Sequence, residues 1–145
     1  MLNAATRLIY HLGPYDHISD ALATLYWLRV PERVQYKIAV LTLKVLHDSA
    51  PRYQGSATAK RGLCQGPLFA VADLSGRRAL RSASTSRLVA PPIKLSIVGS
   101  HVFPVAAAQV WNGLPETIVS SSSLQTFRRQ LKTRLFQLSF PHLIF

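Results

Sequence analysis

Apolar side chains recur at helical spacing near both ends of the chain, and the pattern fades in the middle. Leu2, Ala5, Leu8, Ile9 and Leu12 share one face, so residues 2–12 are expected to be a short helix. Gly13-Pro14 is its expected stop, because glycine tolerates left-handed geometry and proline lacks an amide hydrogen. A second helix should begin near Asp16 or Ser19, either of which offers an oxygen to a free first-turn amide, with Ile18, Leu22, Leu25 and Tyr26 on one face. Pro31 suits the first turn of a third, longer helix reaching about His47. Its expected stripe is Val34, Ile38, Leu41 and Val45, widened by Ala39, Leu43 and Leu46, with Arg33, Lys37 and Lys44 on a narrow polar side. Burying four such side chains is worth about 6–12 kcal/mol by transfer estimates, before entropy is subtracted.

From about residue 48 to 80 no period persists, and glycines and prolines interrupt the chain. Leu88–Ala90 and Lys94–Val98 are short enough and apolar enough to pair as one short β-hairpin. Pro104 opens a short helix through Trp111, stopped by Asn112-Gly113 and Pro115. The serines at 120–123 supply a cap for a last helix over 124–138, with Leu124, Phe127, Leu131, Leu135 and Leu138 as its stripe and Arg128, Arg129, Lys132 and Arg134 on the remainder. The expected fold class is therefore mainly α. It is a small helical bundle with a poorly structured basic middle segment and room for one short β-hairpin. Trp27, Trp111, Phe127 and Leu131 are its expected structural anchors, since each lies on or beside an apolar stripe.

Charge alters this picture more than size does. The 145 residues carry 17 Lys and Arg against 6 Asp and Glu, a formal net charge of +11. Residues 51–100 hold eight basic side chains and one acidic one, so the excess concentrates in the segment without periodicity. Such a balance favours a polyanion, most simply RNA or DNA, whose phosphates release counterions when neutralised. Arg77, Arg78, Arg81 and Arg87, interspersed with serines and Thr85, suit backbone phosphates without reading sequence, though any solvated basic loop has the same composition. The Arg33, Lys37, Lys44 stripe divides in the same way between nucleic acid and bulk water.

Candidate chemistry is sparse. Six scattered acids give no paired carboxylates for two-metal catalysis. The histidines at 11, 17, 47, 101 and 142 have no i,i+4 spacing, and lone Cys64 forms neither a disulfide nor a cysteine-rich zinc site, so no metal is expected. No phosphate cradle or nucleophile elbow occurs. No catalytic residue and no cofactor is assigned. Residues 1–12 carry one basic side chain and lack an uninterrupted apolar core, which makes a poor signal peptide. No apolar run approaches ~18 residues, so no membrane contact is expected. The compartment stays open between nucleus and cytoplasm.

Four stretches, in order, carry a resemblance. They are Leu2–Ile9 (LNAATRLI); Asp16–Ser19 with Leu25–Val30 (LYWLRV), Arg33–Ile38, Leu43–His47 and Ala50–Tyr53; Leu80–Ser82 with the extended piece to Pro91; and Gly99–Phe103, Val105–Ala107, Val110–Pro115 (VWNGLP), Ser123–Phe127 and Leu131–Phe136. Together the chain resembles the C-terminal region, thumb and tail, of the reverse transcriptase of animal non-LTR retrotransposons. Arg29 stands where that family usually has proline, His101 where it has arginine and Pro104 where it has serine, and residues 54–72 are unlike its usual linker. The resemblance implies a thumb-like helical segment over 1–50, a basic linker over 51–100 and a C-terminal helical tail over 101–145. It implies RNA, DNA or an RNA–DNA hybrid as partner, gripped through the backbone by Arg7, Arg33, Lys37 and Lys44, and the palm domain as a second partner. The family's catalytic aspartates lie in the palm, so the expectation is a non-catalytic remnant of a truncated copy. The competing expectation is a structural domain from a decayed mobile-element reading frame with no retained activity.

Overall fold

The computed structural model describes residues 2–47, 49, 68, 86–89 and 103–143. The described residues are 66% helical and include no strand, so the fold is mainly α, a small helical bundle. The helices are α1 (Leu2–Ile9), α2 (Ser19–Thr24), α3 (Val30–Leu46), α4 (Phe103–Asn112), α5 (Glu116–Val119) and α6 (Leu124–Ser139). The chain divides into two compact units, one of Met1–Tyr36 with Arg129–Phe145 and one of Lys37–Arg128. Of the expected hairpin only Leu88 and Val89 are described, and its remainder lies outside the described residues.

In the first unit, α1 ends earlier than its apolar pattern suggests. His11 takes φ 51°, and the Leu12 amide reaches back to the Arg7 carbonyl at 2.9 Å. That is a left-handed helix stop, supplied by histidine two residues before the expected Gly13. The expected stripe is also not the buried one: Leu8 is 78% exposed and Ile9 54%, while Thr6 is buried. The Thr6 hydroxyl is satisfied by the Leu2 carbonyl at 3.0 Å, which removes most of the cost of burying it.

Neither Asp16 nor Ser19 caps α2. Its N-cap is Ile18, with no side-chain bond to a first-turn amide. Asp16 instead accepts from the Gly13 amide at 2.6 Å and so closes the preceding turn. The end of α2 repeats the stop of α1. Tyr26 takes φ 55°, and the Trp27 amide donates to the Leu22 carbonyl at 2.8 Å. Leu22 and Leu28 are buried, and Trp27 is half-buried.

α3 runs unbroken, and of its expected stripe it buries the widening positions Ala39 and Leu43 rather than the central four. Ala39, Val40, Thr42 and Leu43 are buried, whereas Val34 is 51% exposed and Ile38, Leu41 and Val45 are half-buried. At 100° per residue the two seams lie on opposite sides of the helix. The choice is consistent with shape, since Ala39 and Thr42 are small and let a neighbour approach closely. Thr42 donates to the Ile38 carbonyl at 2.8 Å and is thereby satisfied.

In the second unit, α4 begins with Pro104 in its first turn and stops at Gly113, as the sequence indicates. Val105, Ala107, Ala108 and Trp111 are buried, and Ile118 of α5 is buried too. Ser123 caps α6 by accepting from the Thr126 amide at 3.1 Å. Phe127 is fully buried, with its ring 5.9 Å from that of Trp111. Farther along α6, in the first unit, Leu131 is fully buried and Leu135 is buried. The buried face then turns, so that Phe136, Ser139 and Phe140 are enclosed and Leu138, expected on the stripe, is 58% exposed.

Candidate nucleic-acid interface

The sequence-named cations fall into four groups. Arg7 is engaged internally. Its guanidinium donates to the Gly13 carbonyl through one terminal nitrogen and to the Asp16 carbonyl at 3.1 Å through the other, clamping the turn after α1. Arg33 is half-buried and donates to the Asn3 side-chain oxygen at 3.1 Å, tying the start of α3 to α1. Lys37 is exposed and Lys44 half-buried. Both share one side of α3 with Arg33, because positions 33, 37 and 44 fall within about 40° of arc. Arg77, Arg78 and Arg81 lie outside the described residues.

Arg87 is exposed on an anchored strap. The Trp111 indole donates to the Ser86 carbonyl at 2.8 Å, and the Ser86 hydroxyl donates to Glu116 at 3.0 Å. The Asn112 side chain then brackets Leu88, accepting from its amide at 2.9 Å and donating to its carbonyl at 2.9 Å. An amide side chain thus does for Leu88 what a neighbouring strand would do. With 86 and 88 pinned, the alternation of an extended segment turns Arg87 away from the helices. The Trp-Asn-Gly-Leu-Pro sequence therefore acts as a clamp as well as a helix stop.

A denser basic surface lies on α6. Arg128, Arg129, Lys132 and Arg134 are all exposed. The first three fall within about 100° of arc, and Arg134 sits on the other flank. The sequence places these four off the expected apolar stripe but does not single them out as the leading group of cations.

Within the first unit, α6 also meets a stack of aromatic rings that local periodicity does not reveal. Tyr26 and Phe136 stack with ring centres 4.1 Å apart, and Phe140 tilts against Phe136 at 4.9 Å. Arg29 lies over the Phe140 ring at 4.9 Å, and Lys132 over the Tyr26 ring at 5.3 Å. Beside the stack opens a cavity of about 440 Å³. Its walls are the three rings, Thr133 and Gln137 of α6, and Pro141 and Leu143 beyond it.

Among the described residues no three His, Cys, Asp or Glu side chains come together in a way that could hold a metal ion. No described helix is long and apolar enough to cross a membrane. Comparison with known protein families, with characterised proteins and with solved structures gives no match.

Proposed function

We propose that this chain is a sequence-independent nucleic-acid-binding element, a non-catalytic remnant of the thumb and tail of a non-LTR retrotransposon reverse transcriptase. It holds RNA, DNA or their hybrid by the backbone. The observation that carries this reading is the exposed cationic side of α6, formed by Arg128, Arg129 and Lys132. Lys37, Lys44 and the pinned Arg87 supply further positive charge. The ordered stretches of resemblance supply the family, and in that family the palm domain would be the second partner. Phosphate neutralisation releases counterions, so affinity is independent of sequence and falls with salt.

Fluorescence anisotropy with labelled RNA–DNA hybrid and duplex DNA, at roughly 50 and 200 mM salt, tests it. Four phosphate contacts on duplex DNA give a log–log slope near about −3.6, or roughly a hundredfold loss over that range. Changing Arg128, Arg129 and Lys132 together to glutamine should flatten the slope by about 2–3 for every sequence tried. An unchanged slope and affinity in the folded variant refutes the role of α6.

The internal engagement of Arg7 and Arg33 favours a second reading, a structural domain with no retained activity. Failure of the parent protein to bind either duplex at the lower salt would select it.

A further inference from the structure

We propose that the cavity beside Tyr26, Phe136 and Phe140 accepts an unpaired base of a single-stranded RNA or DNA, with Lys132 and Arg129 drawing in its phosphates. The inference rests on the nucleic-acid reading above and adds to it a ligand form, the unstacked single strand, that backbone gripping does not require.

The cavity measures about 440 Å³, within the range of small-ligand sites and ample for one base with its sugar. Three of its seven described lining residues are aromatic, and of these Tyr26, 43% exposed, offers the ring on which a base of any identity can stack. Two polar side chains interrupt the apolar lining. Thr133 donates its proton to the Arg129 carbonyl at 3.1 Å and so keeps an accepting oxygen. Gln137 is exposed and offers both an amide donor and a carbonyl acceptor, the pair needed to meet a base edge.

Charge selects the occupant. Among the described residues no acidic side chain lines the cavity, while Lys132 and Arg29 cover rings of the stack. Arg129 lies one helical turn before Thr133 on the same side of α6, about 6 Å along the axis. A strand with one base in the cavity can therefore run back along α6 with its phosphates at Lys132 and Arg129. A neutral or basic peptide would find no partner for its charges on this face.

Tyr26 adds an independent observation. Its φ of 55° is a left-handed position that glycine fills without strain. A tyrosine there has a backbone cost that the stack on Phe136 and the half-open ring must offset.

The test uses the full chain and two probes, a 12-nucleotide single strand carrying one 2-aminopurine and the same strand paired in a blunt duplex. Binding of the single strand should change the 2-aminopurine signal as the base leaves its neighbours and stacks on protein rings. Tyr26→Leu should weaken single-strand binding about 5- to 100-fold while leaving duplex binding within about twofold. Tyr26→Phe keeps the ring and should bind the single strand like the parent. Gln137→Ala, at an exposed position, should weaken it several-fold without a folding change. The proposal is overturned if Tyr26→Leu, shown folded by circular dichroism, binds the single strand as the parent does. It is overturned equally if Tyr26→Leu loses both probes in parallel. A parent that binds the duplex but not the single strand refutes the cavity alone, and a parent that binds neither removes the nucleic-acid reading with it. Tyr26-dependent capture of a polyglutamate peptide in preference to the single strand would assign the cavity to an acidic peptide and also overturn the proposal.

Discussion

Removing the Asn112 side chain should release the strap that carries Arg87. Asn112→Ala deletes two hydrogen bonds of 2.9 Å to the Leu88 backbone. Each is worth about 0.5–1.5 kcal/mol net, and a buried amide or carbonyl left without a partner costs about 1–3 kcal/mol. Leu88 is 3% exposed, which argues for the upper part of that range, but Asn112 itself is exposed, so water can replace some of what is lost. The expected loss is about 1–3 kcal/mol. Asn112→Asp is the sharper perturbation. It keeps the acceptor for the Leu88 amide but sets a carboxylate oxygen against the Leu88 carbonyl, so it should destabilise at least as much as alanine. Trp111→Phe keeps an aromatic ring near Phe127 but loses the bond to the Ser86 carbonyl and leaves space where the buried indole packed, costing about 1–3 kcal/mol. Urea titration reads the global change, and amide exchange at Leu88 reads the local one. If strap and helices unfold together, both measurements move; if the strap opens alone, only exchange does. Unchanged exchange at Leu88 in Asn112→Ala, with global stability within about 0.5 kcal/mol of the parent, would refute the bracketing role.

Two further outcomes follow from packing and backbone geometry. Phe127→Ala should cost about 3–5 kcal/mol, because the fully buried ring packs on Trp111 and its loss leaves a cavity; a thermal melt within a degree of the parent would show that α6 is not held there. His11→Gly should stabilise the protein by about 0.5–1 kcal/mol, since the position is left-handed and the histidine is exposed; a lower urea midpoint would contradict the αL stop of α1.

Element existence was legible wherever punctuation and periodicity agreed. Pro104 and Gly113 bracket α4, and Ser123 opens α6, because each acts on its immediate neighbours through backbone chemistry. The choice of buried seam was legible only in part, since on α3 Ala39 and Leu43 lay on the expected stripe and Val40 and Thr42 did not. On α3 both the Val34–Val45 seam and the Ala39–Leu43 seam are apolar, and only the shape of what packs against the helix distinguishes them. Histidine and tyrosine as helix stops were hidden for a related reason: Gly13-Pro14 already supplied a stop for α1, and a left-handed non-glycine residue has no compositional signal. The ring stack was hidden by distance along the chain, since Tyr26 and Phe136 are 110 positions apart and Phe140 lies just beyond the end of α6.

The same contrast bears on how the charge can act. Counting cations treats Arg7 and Lys132 as equals, yet hydrogen-bond geometry separates them. Arg7 already donates to two carbonyls, so offering it to a phosphate would open the turn it holds. Lys132 rests over a ring face, a contact worth only about 0.5–1 kcal/mol at an exposed site, so it can turn to a phosphate at small cost. Ionic contacts of that kind weaken with salt, whereas a base stacked on Tyr26 depends little on it. The Tyr26 ring, the lysine above it and the cavity at its edge all meet at the C-terminal part of α6, and the proposed single-strand site rests on that meeting.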